Sequence, residues 1–137
     1  MGLLALAGLA ALAATAWLGR AKDPIAWPPT VAEELRAPDG VRVRVQVVNG
    51  TATRGLARRA TSLLRDRGFD VLEIGTASDQ LDSTLVLDRS GHPDWAKRVA
   101  AALGGARVEA RPDSSRYLDV TVILGRSWRP PTQPFYP

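Results

Sequence analysis

The sequence contains no cysteine, a single histidine and a single methionine, and only 6% of its residues are aromatic. Without cysteine, the chain forms no disulfide and has neither a thiolate nucleophile nor thiolate ligands for a metal. The histidine has no cysteine partner and no Gly-x-Ser-x-Gly motif is present, so no arrangement for nucleophilic catalysis can be recognised. We therefore expect no enzyme activity, no catalytic residue and no cofactor.

A large excess of positive charge is also missing. The chain has 18 Lys and Arg against 14 Asp and Glu, a formal net charge of +4 over 137 residues, and acidic residues are interspersed among the basic ones. A nucleic-acid-binding domain usually carries a denser basic stripe that includes aromatic residues. We therefore expect no nucleic-acid partner.

Residues 1–19 are predicted to form one N-terminal transmembrane helix. They contain no charged residue, and the run LLALAGLAALAATAWL has no polar helical face. Such a helix is suited to lipid on all sides, and its length is near the minimum for a hydrocarbon core of about 30 Å. We favour an uncleaved, single-pass anchor; a signal peptide cleaved after Ala14-Thr15-Ala16 and a buried helix remain alternatives. Arg20 and Lys22 follow the segment and would by themselves favour a cytoplasmic C-terminal part, so the orientation stays open.

Proline-rich segments flank the remaining chain. Residues 20–40 contain four prolines, which favour an extended spacer with a short helical turn near Glu33. Residues 126–137, RSWRPPTQPFYP, form a tail that combines proline with Trp128, Phe135 and Tyr136. We expect this tail to pack its aromatic side chains onto the domain; the alternative is a polyproline-type ligand for a partner protein.

Residues 41–125 are predicted to form one domain with the order β-α-β-β-α-β-β. Val43, Val45 and Val47 alternate with polar residues, which indicates a strand with one buried and one solvated face. A helix then begins near Leu56 and stops at Gly68, and a second begins at His92-Pro93-Asp94 and stops at Gly104-Gly105. The other predicted strands are 69–74, 84–88, 106–110 and 118–124.

The half-polar first strand decides the predicted fold class. A parallel sheet covered on both faces usually has strands that are apolar throughout, whereas a strand with a solvated face favours helices on one side only. We therefore expect a two-layer α/β domain of the α+β class, with two helices on one face of a mostly antiparallel sheet, as in ferredoxin-like folds.

The Asn49-Gly50-Thr51 turn is the predicted ligand contact, together with Arg54. It follows the first strand and precedes a helix, whose free N–H groups attract anions. It lacks the glycine and lysine spacing of a phosphate-binding loop, so a purely structural turn is the competing interpretation.

Two further groups of polar residues stand out in the sequence. Asp79, Asp82, Asp88, His92 and Asp94 are close in sequence but lack the spacing of a calcium or zinc site, so we expect turn and cap roles and no metal. Arg42, Arg44 and Gln46 should lie opposite the buried valines, on an open sheet face that is either a ligand platform or merely solvated.

The run VRVQVVNGTATRGLARRATSLLRDRGFDVLEIG, followed by STLVLDRSG, ALGGARVEA and LDVTVILG, resembles the C-terminal domain of LytR-type bacterial cell-envelope proteins. The characteristic matches are Asn49-Gly50-Thr51, Gly55-Leu56-Ala57, Gly68-Phe69-Asp70-Val71 and Asp119-Val120-Thr121-Val122. Longer relatives carry a phosphotransferase domain for which this chain has no room, so that activity is not implied.

The resemblance implies a non-catalytic, membrane-anchored module outside the cytoplasmic membrane. Its partner would be a cell-wall polymer or an envelope protein. Two alternatives stay open from the residues: a scaffold that presents the proline and aromatic tail to a partner, and a small protein that binds a phosphate ligand.

Overall fold

The structure is a computed structural model that describes residues 31–115 and 117–131. The predicted transmembrane segment, most of the proline-rich spacer, and Phe135 and Tyr136 of the tail lie outside the described residues. Within the described ranges, none of the helices combines the length and apolarity that a membrane crossing needs.

The elements follow the predicted order, β-α-β-β-α-β-β, after a one-turn helix that the spacer sequence predicted. Arg98 of the second long helix holds this turn by donating to the carbonyls of Glu33 and Arg36, at 3.0 and 3.1 Å. The elements are α1 Val31–Glu34, β1 Arg44–Asn49, α2 Leu56–Asp66, β2 Asp70–Thr76, β3 Leu85–Asp88, α3 Pro93–Ala102, β4 Arg107–Ala110 and β5 Val120–Leu124.

The sheet is mixed, with strand order β2-β1-β5-β3-β4. The prediction of a mostly antiparallel, ferredoxin-like sheet was wrong: β1 pairs parallel with β2 and β5, β3 pairs parallel with β4, and only β3 with β5 is antiparallel. Each long helix returns the chain to the end of the sheet where the preceding strand began, so the strands that it joins run parallel. The two β-α-β units run in opposite directions, with β5 between them.

Both long helices cover the same face of this sheet, as predicted. They contact each other and bury their apolar residues on the side of the sheet that carries Val43, Val45 and Val47, which are fully buried. The alternation along β1 is therefore produced by the one-sided helical layer and says nothing about strand direction. The opposite face carries polar side chains such as Arg44, Gln46 and Thr121, together with apolar ones such as Leu87, which pairs with Thr121.

Helix α2 ends where the sequence predicted. Gly68 has a φ of 85°, a left-handed conformation that glycine adopts without steric cost. The Gly68 N–H donates to the carbonyl of Arg65 and the Phe69 N–H to that of Leu64, both at 3.0 Å, which forms a Schellman cap. This turn directs the chain into β2 beside β1.

The tail begins as part of the domain. Trp128 is buried in the core, and its indole Nε1 donates to the Leu103 carbonyl at 2.9 Å. Its packing agrees with the prediction that the tail's aromatic side chains pack on the domain. Trp128 is therefore not available to a partner protein without opening the core.

Candidate functional site

A cleft of about 770 Å³ lies on the open face of the sheet, at the amino ends of β1 and β5 and the carboxyl end of β3. We call it the arginine cleft, because three arginines from two parts of the chain line it together with polar and aromatic residues. Its lining residues are Arg42, Arg44, Arg89, Ser90, Gly91, His92, Trp95, Pro112, Asp113 and Asp119.

The floor of the arginine cleft is the ion pair between Arg44 and Asp119. Arg44 donates from Nε to Asp119 Oδ2 at 3.0 Å, and the Arg44 backbone N–H donates to the same oxygen at 2.8 Å. The Asp119 side chain is 5% exposed and that of Arg44 is 34% exposed. A carboxylate that is this deeply buried keeps its charge only with such partners.

The protonation of this pair follows from its contacts. Burial raises the pKa of Asp119, but the hydrogen bonds from the Arg44 side chain and backbone and from Ser90, with the Arg44 charge, outweigh it and hold the pKa below its usual value. The same hydrogen bond with Asp119 raises the pKa of Arg44. Both groups are therefore charged near neutral pH, and neither is suited to proton transfer.

Arg42 lies at the edge of the arginine cleft in a much weaker pair. Its Nε contacts Oδ2 of Asp70, with 72% of the Arg42 side chain and 35% of the Asp70 side chain exposed to solvent. Ion pairs of this exposure contribute about 0–1 kcal/mol to stability, because water and salt screen them. Arg42 can therefore exchange Asp70 for another anion at little cost.

Asp88 organises the loop between β3 and α3. Its buried carboxylate accepts from the backbone N–H groups of Ser90, Gly91 and His92 at 3.1–3.2 Å. His92 is then the N-cap of α3 and Pro93 its first residue, which agrees with the predicted cap and turn roles. The loop N–H groups that a free anion would use are thus already engaged by Asp88.

Arg89 is positioned by a chain of hydrogen bonds that crosses the open face. Its Nε donates to the Thr121 hydroxyl at 3.1 Å, and Thr121 donates to the Gln46 side-chain carbonyl at 3.2 Å. The Gln46 amide donates in turn to Glu73 on β2 at 3.0 Å. A second bond runs from Arg89 to the Arg111 carbonyl at 3.2 Å. The guanidinium is therefore held at two points before any ligand arrives.

The remaining wall of the arginine cleft is aromatic. The rings of His92 and Trp95 are stacked, with their centroids 3.7 Å apart and their planes 6° from parallel. Trp95 packs against the core and His92 is exposed, so the core fixes the position of the pair. The cleft thus combines cationic groups with a flat apolar surface, a combination common in binding sites.

The Asn49-Gly50-Thr51 turn uses its own polar groups. The Asn49 side chain accepts from the Thr51 N–H at 3.0 Å and from its hydroxyl at 2.7 Å, and donates to the Thr53 carbonyl at 2.8 Å. Gly50 is required because a Cβ there would lie 2.6 Å from the Leu124 carbonyl oxygen. Helix α2 begins later, at Leu56, with Gly55 as an N-cap that forms no side-chain cap. Ligand contact by Asn49, Gly50, Thr51 and Arg54 stays a prediction.

Sequence reasoning identified part of the arginine cleft. Arg42, Arg44 and Gln46 do lie opposite the buried valines, as predicted, and two of them line the cleft. Arg89, Trp95 and the segment around Asp113 were missed, because they reach the cleft only through strand pairing. Among the described residues, no group of three or more His, Cys, Asp or Glu side chains is arranged to hold a metal ion.

The fold and the cleft define a small two-layer α+β module built around a five-stranded mixed sheet. Residues 42–128 match the family described as LytR cell envelope-related transcriptional attenuator. This match covers more than half of the chain, so the protein belongs to the LytR C-terminal domain family, as the sequence resemblance predicted. Its members are modules associated with the cell envelope and typically non-catalytic.

Two solved structures are similar to this chain. One is the soluble domain of a conserved hypothetical secreted protein, the Rv2700 ortholog, from Mycobacterium marinum, with 19% identity, a TM-score of 0.50, and coverage of 78% of this chain and 76% of that chain. This likeness concerns the fold. The other is the C-terminal domain of Rv0431, with 30% identity, a TM-score of 0.43, and coverage of 76% and 86%. No curated protein sequence matches the chain.

Proposed function

We propose that the protein is a non-catalytic envelope module that binds a cell-envelope component in the arginine cleft. Residues 1–19 would anchor it in the cell membrane as a single-pass protein, and the domain would lie outside the cytoplasm. The observation that carries the proposal is the arginine cleft itself, where Arg89 is held in place by Thr121 and Arg111 and forms no salt bridge among the described residues.

Membership of the envelope-associated family supports the location, and the geometry supports binding instead of catalysis. The carboxylates of Asp88, Asp113 and Asp119 all accept hydrogen bonds from their own surroundings. General acid–base chemistry requires a group whose pKa is tuned toward the working pH, and the pKa values of Asp113 and Asp119 are lowered instead. A binding role does not require these carboxylates to gain or lose a proton.

The scaffold alternative has less support. It requires the tail to present its aromatic residues, but Trp128 is buried and donates to Leu103. A truncation that tests the tail must therefore begin after Pro131, because a deletion from residue 126 would remove part of the core.

Location is tested by fusing to the C-terminus of the full chain a phosphatase that is active only outside the cytoplasm. We expect activity from a stably expressed fusion. A stable but inactive fusion would place the domain in the cytoplasm, as Arg20 and Lys22 would favour, and would exclude an extracytoplasmic binding role.

Binding is tested by co-sedimentation of the full chain, in a non-ionic detergent, with isolated cell-wall material. Pro112→Trp places a bulky uncharged side chain in the lining of the arginine cleft and should reduce binding, whereas Ser114→Trp adds the same group to an exposed neighbour outside the lining. Equal binding by both variants would exclude the cleft as the site. Absence of binding by the unmodified chain would exclude the proposed function.

A further inference from the structure

The charges that line the arginine cleft do not cancel. Three arginines face two aspartates, a difference of 3 − 2 = +1 with His92 neutral. Arg44 forms a salt bridge with Asp119, and Asp113 accepts from the N–H and hydroxyl of Ser115 at 3.0 and 2.9 Å. Arg89 is the cleft arginine that forms no salt bridge in the described part of the chain, and its charge interacts with that of Asp113 without direct pairing. Arg42 is a second cation, in an exposed and exchangeable pair.

Arg89 retains donors for a ligand. A guanidinium has five N–H donors, and the bonds to Thr121 and Arg111 use two of them, which leaves 5 − 2 = 3 without a hydrogen bond in the described part of the chain. A planar guanidinium matches the two oxygens of a carboxylate or phosphate and binds them in a bidentate manner. Because Thr121 and Arg111 already fix the group, little side-chain entropy is lost when an anion binds.

The N-terminus of helix α3 is not the source of this anion site. Asp88 already accepts from the three loop N–H groups that precede the helix. A ligand anion near this loop is consequently held by arginine side chains.

We infer that the ligand of the arginine cleft is an anionic envelope polymer, whose phosphodiester or carboxylate groups bind Arg89 first and Arg42 second. This inference rests on the proposed function, because it names the chemistry of the component that the cleft binds. The stacked pair of His92 and Trp95 provides the apolar surface for the uncharged part of a repeating unit. The bond network that runs from Thr121 through Gln46 to Glu73 makes these three positioning residues for Arg89.

The inference is tested by equilibrium binding of the full chain, in a non-ionic detergent, to three soluble polymers: poly(glycerol phosphate), polygalacturonate and uncharged dextran. We expect binding to at least one polyanion and not to dextran, with the two polyanions separating phosphate from carboxylate recognition. Raising NaCl from about 0.05 to 0.5 M should weaken binding by about tenfold, because the longer-range part of the attraction is screened.

Arg89→Gln should weaken polyanion binding by about tenfold, as expected for the loss of a charge-assisted hydrogen-bonded contact. Arg89→Lys keeps the charge but not the planar group, so its affinity for the polyanion should lie between that of the original chain and that of Arg89→Gln. The matched control is Arg59→Gln, which removes the same charge from the exposed surface of α2. Thermal unfolding of each variant separates lost binding from lost folding.

The outcomes distinguish this inference from the proposed function. Equal binding of dextran and the polyanions, or equal losses in Arg89→Gln and Arg59→Gln, would overturn the anionic ligand. If the full chain sediments with wall material through the arginine cleft but binds neither polyanion, the inference fails and the proposed function stands. If it binds no wall material at all, both fail.

Discussion

The two ends of strand β1 differ in how many hydrogen-bonding groups the fold leaves without a partner in the described chain. At the carboxyl end, the Asn49 side chain makes three hydrogen bonds within its own turn, and Gly50 lies against the backbone of β5. At the amino end, about 20 Å away for six residues, Arg42 is exposed and the nearby Arg89 keeps unused donors. Both ends are polar, and the amino end combines a cleft with an arginine, Arg89, that forms no salt bridge within the described chain. Polarity beside a strand is therefore a weaker sign of a site than donors that the fold does not use.

Gly50→Ala should have the largest effect on stability, because it changes the turn at the carboxyl end of β1, which packs against β5. The new Cβ would lie 2.6 Å from the Leu124 carbonyl oxygen, a backbone atom that cannot move alone. We expect a loss of about 3 kcal/mol in the free energy of unfolding, measured by denaturant titration. Gly75→Ala, with no atom within 4 Å of its added Cβ, is the matched control and should change little. Equal tolerance of both substitutions would show that the turn is not a rigid packing element.

Asp119→Asn should have the next largest effect, because it removes the floor of the arginine cleft. Asn keeps the shape but leaves the Arg44 charge without its partner, so we expect about 2 kcal/mol of destabilisation near neutral pH. Asp70→Asn, in the exposed pair with Arg42, is the control and should cost well under half of that.

The same substitution predicts a pH dependence. The folded pKa of Asp119 lies below its unfolded value, so its contribution is fully present above an unfolded pKa of about 3.9 and is lost as the pH falls through the folded pKa. The difference in unfolding free energy between the original chain and Asp119→Asn should therefore shrink in acid. A difference that stays constant down to about pH 2 would show that the charge of Asp119 is not what stabilises the fold.

Thr121→Val should have a smaller effect on stability and should separate positioning from folding. It replaces the hydroxyl between Arg89 and Gln46 by a methyl group of similar size, at a cost of about 1 kcal/mol. Polyanion binding should weaken severalfold, because Arg89 loses one of its two fixed contacts. Thr121→Ser keeps a hydroxyl and should restore most of the binding; if both variants bind alike, Thr121 does not position Arg89.

Arg54→Gln should have the smallest effect on polymer binding. Beside Arg42→Gln, it compares the two ends of β1 directly. Arg54 belongs to the turn that the sequence favoured, whereas Arg42 lies at the arginine cleft. In the polymer assay, Arg42→Gln should weaken binding by about threefold, the scale of one exposed ionic contact. Arg54→Gln should leave binding unchanged. The reverse order would move the site to the Asn49-Gly50-Thr51 turn.

Much of the fold was predictable because its signals are local. The alternating valines of β1, the stop at Gly68 and the proline after His92 each act within a few residues, and every element predicted between residues 41 and 125 is present in the predicted order. The direction of the strands was not predictable from the same signals. The alternation along β1 reports only that one face is solvated, and this holds for a parallel pair as well when both helices lie on the other side.

Local signals were likewise insufficient to predict the arginine cleft. The sequence placed Arg42 and Arg44 on the open face but had no means to bring Asp119 to them, because the two partners are 75 residues apart. Asp119 reaches Arg44 because β5 inserts between β1 and β3, and Arg89 reaches the same point because β3 runs antiparallel to β5. The turn at Asn49 was the predicted ligand contact because its residues are contiguous in the sequence.

Local sequence thus decided which segments are helices and strands, where they stop and which face of each is apolar, since these properties depend on backbone preferences and on the spacing of neighbouring side chains. The tertiary structure alone decided the strand order, the strand directions and the charge balance of the arginine cleft. Those features depend on contacts between residues that are distant in the sequence. Whether Arg89 keeps hydrogen-bond donors for a ligand depends on which groups bind the carboxylates near it in the described chain, and only the tertiary structure shows this.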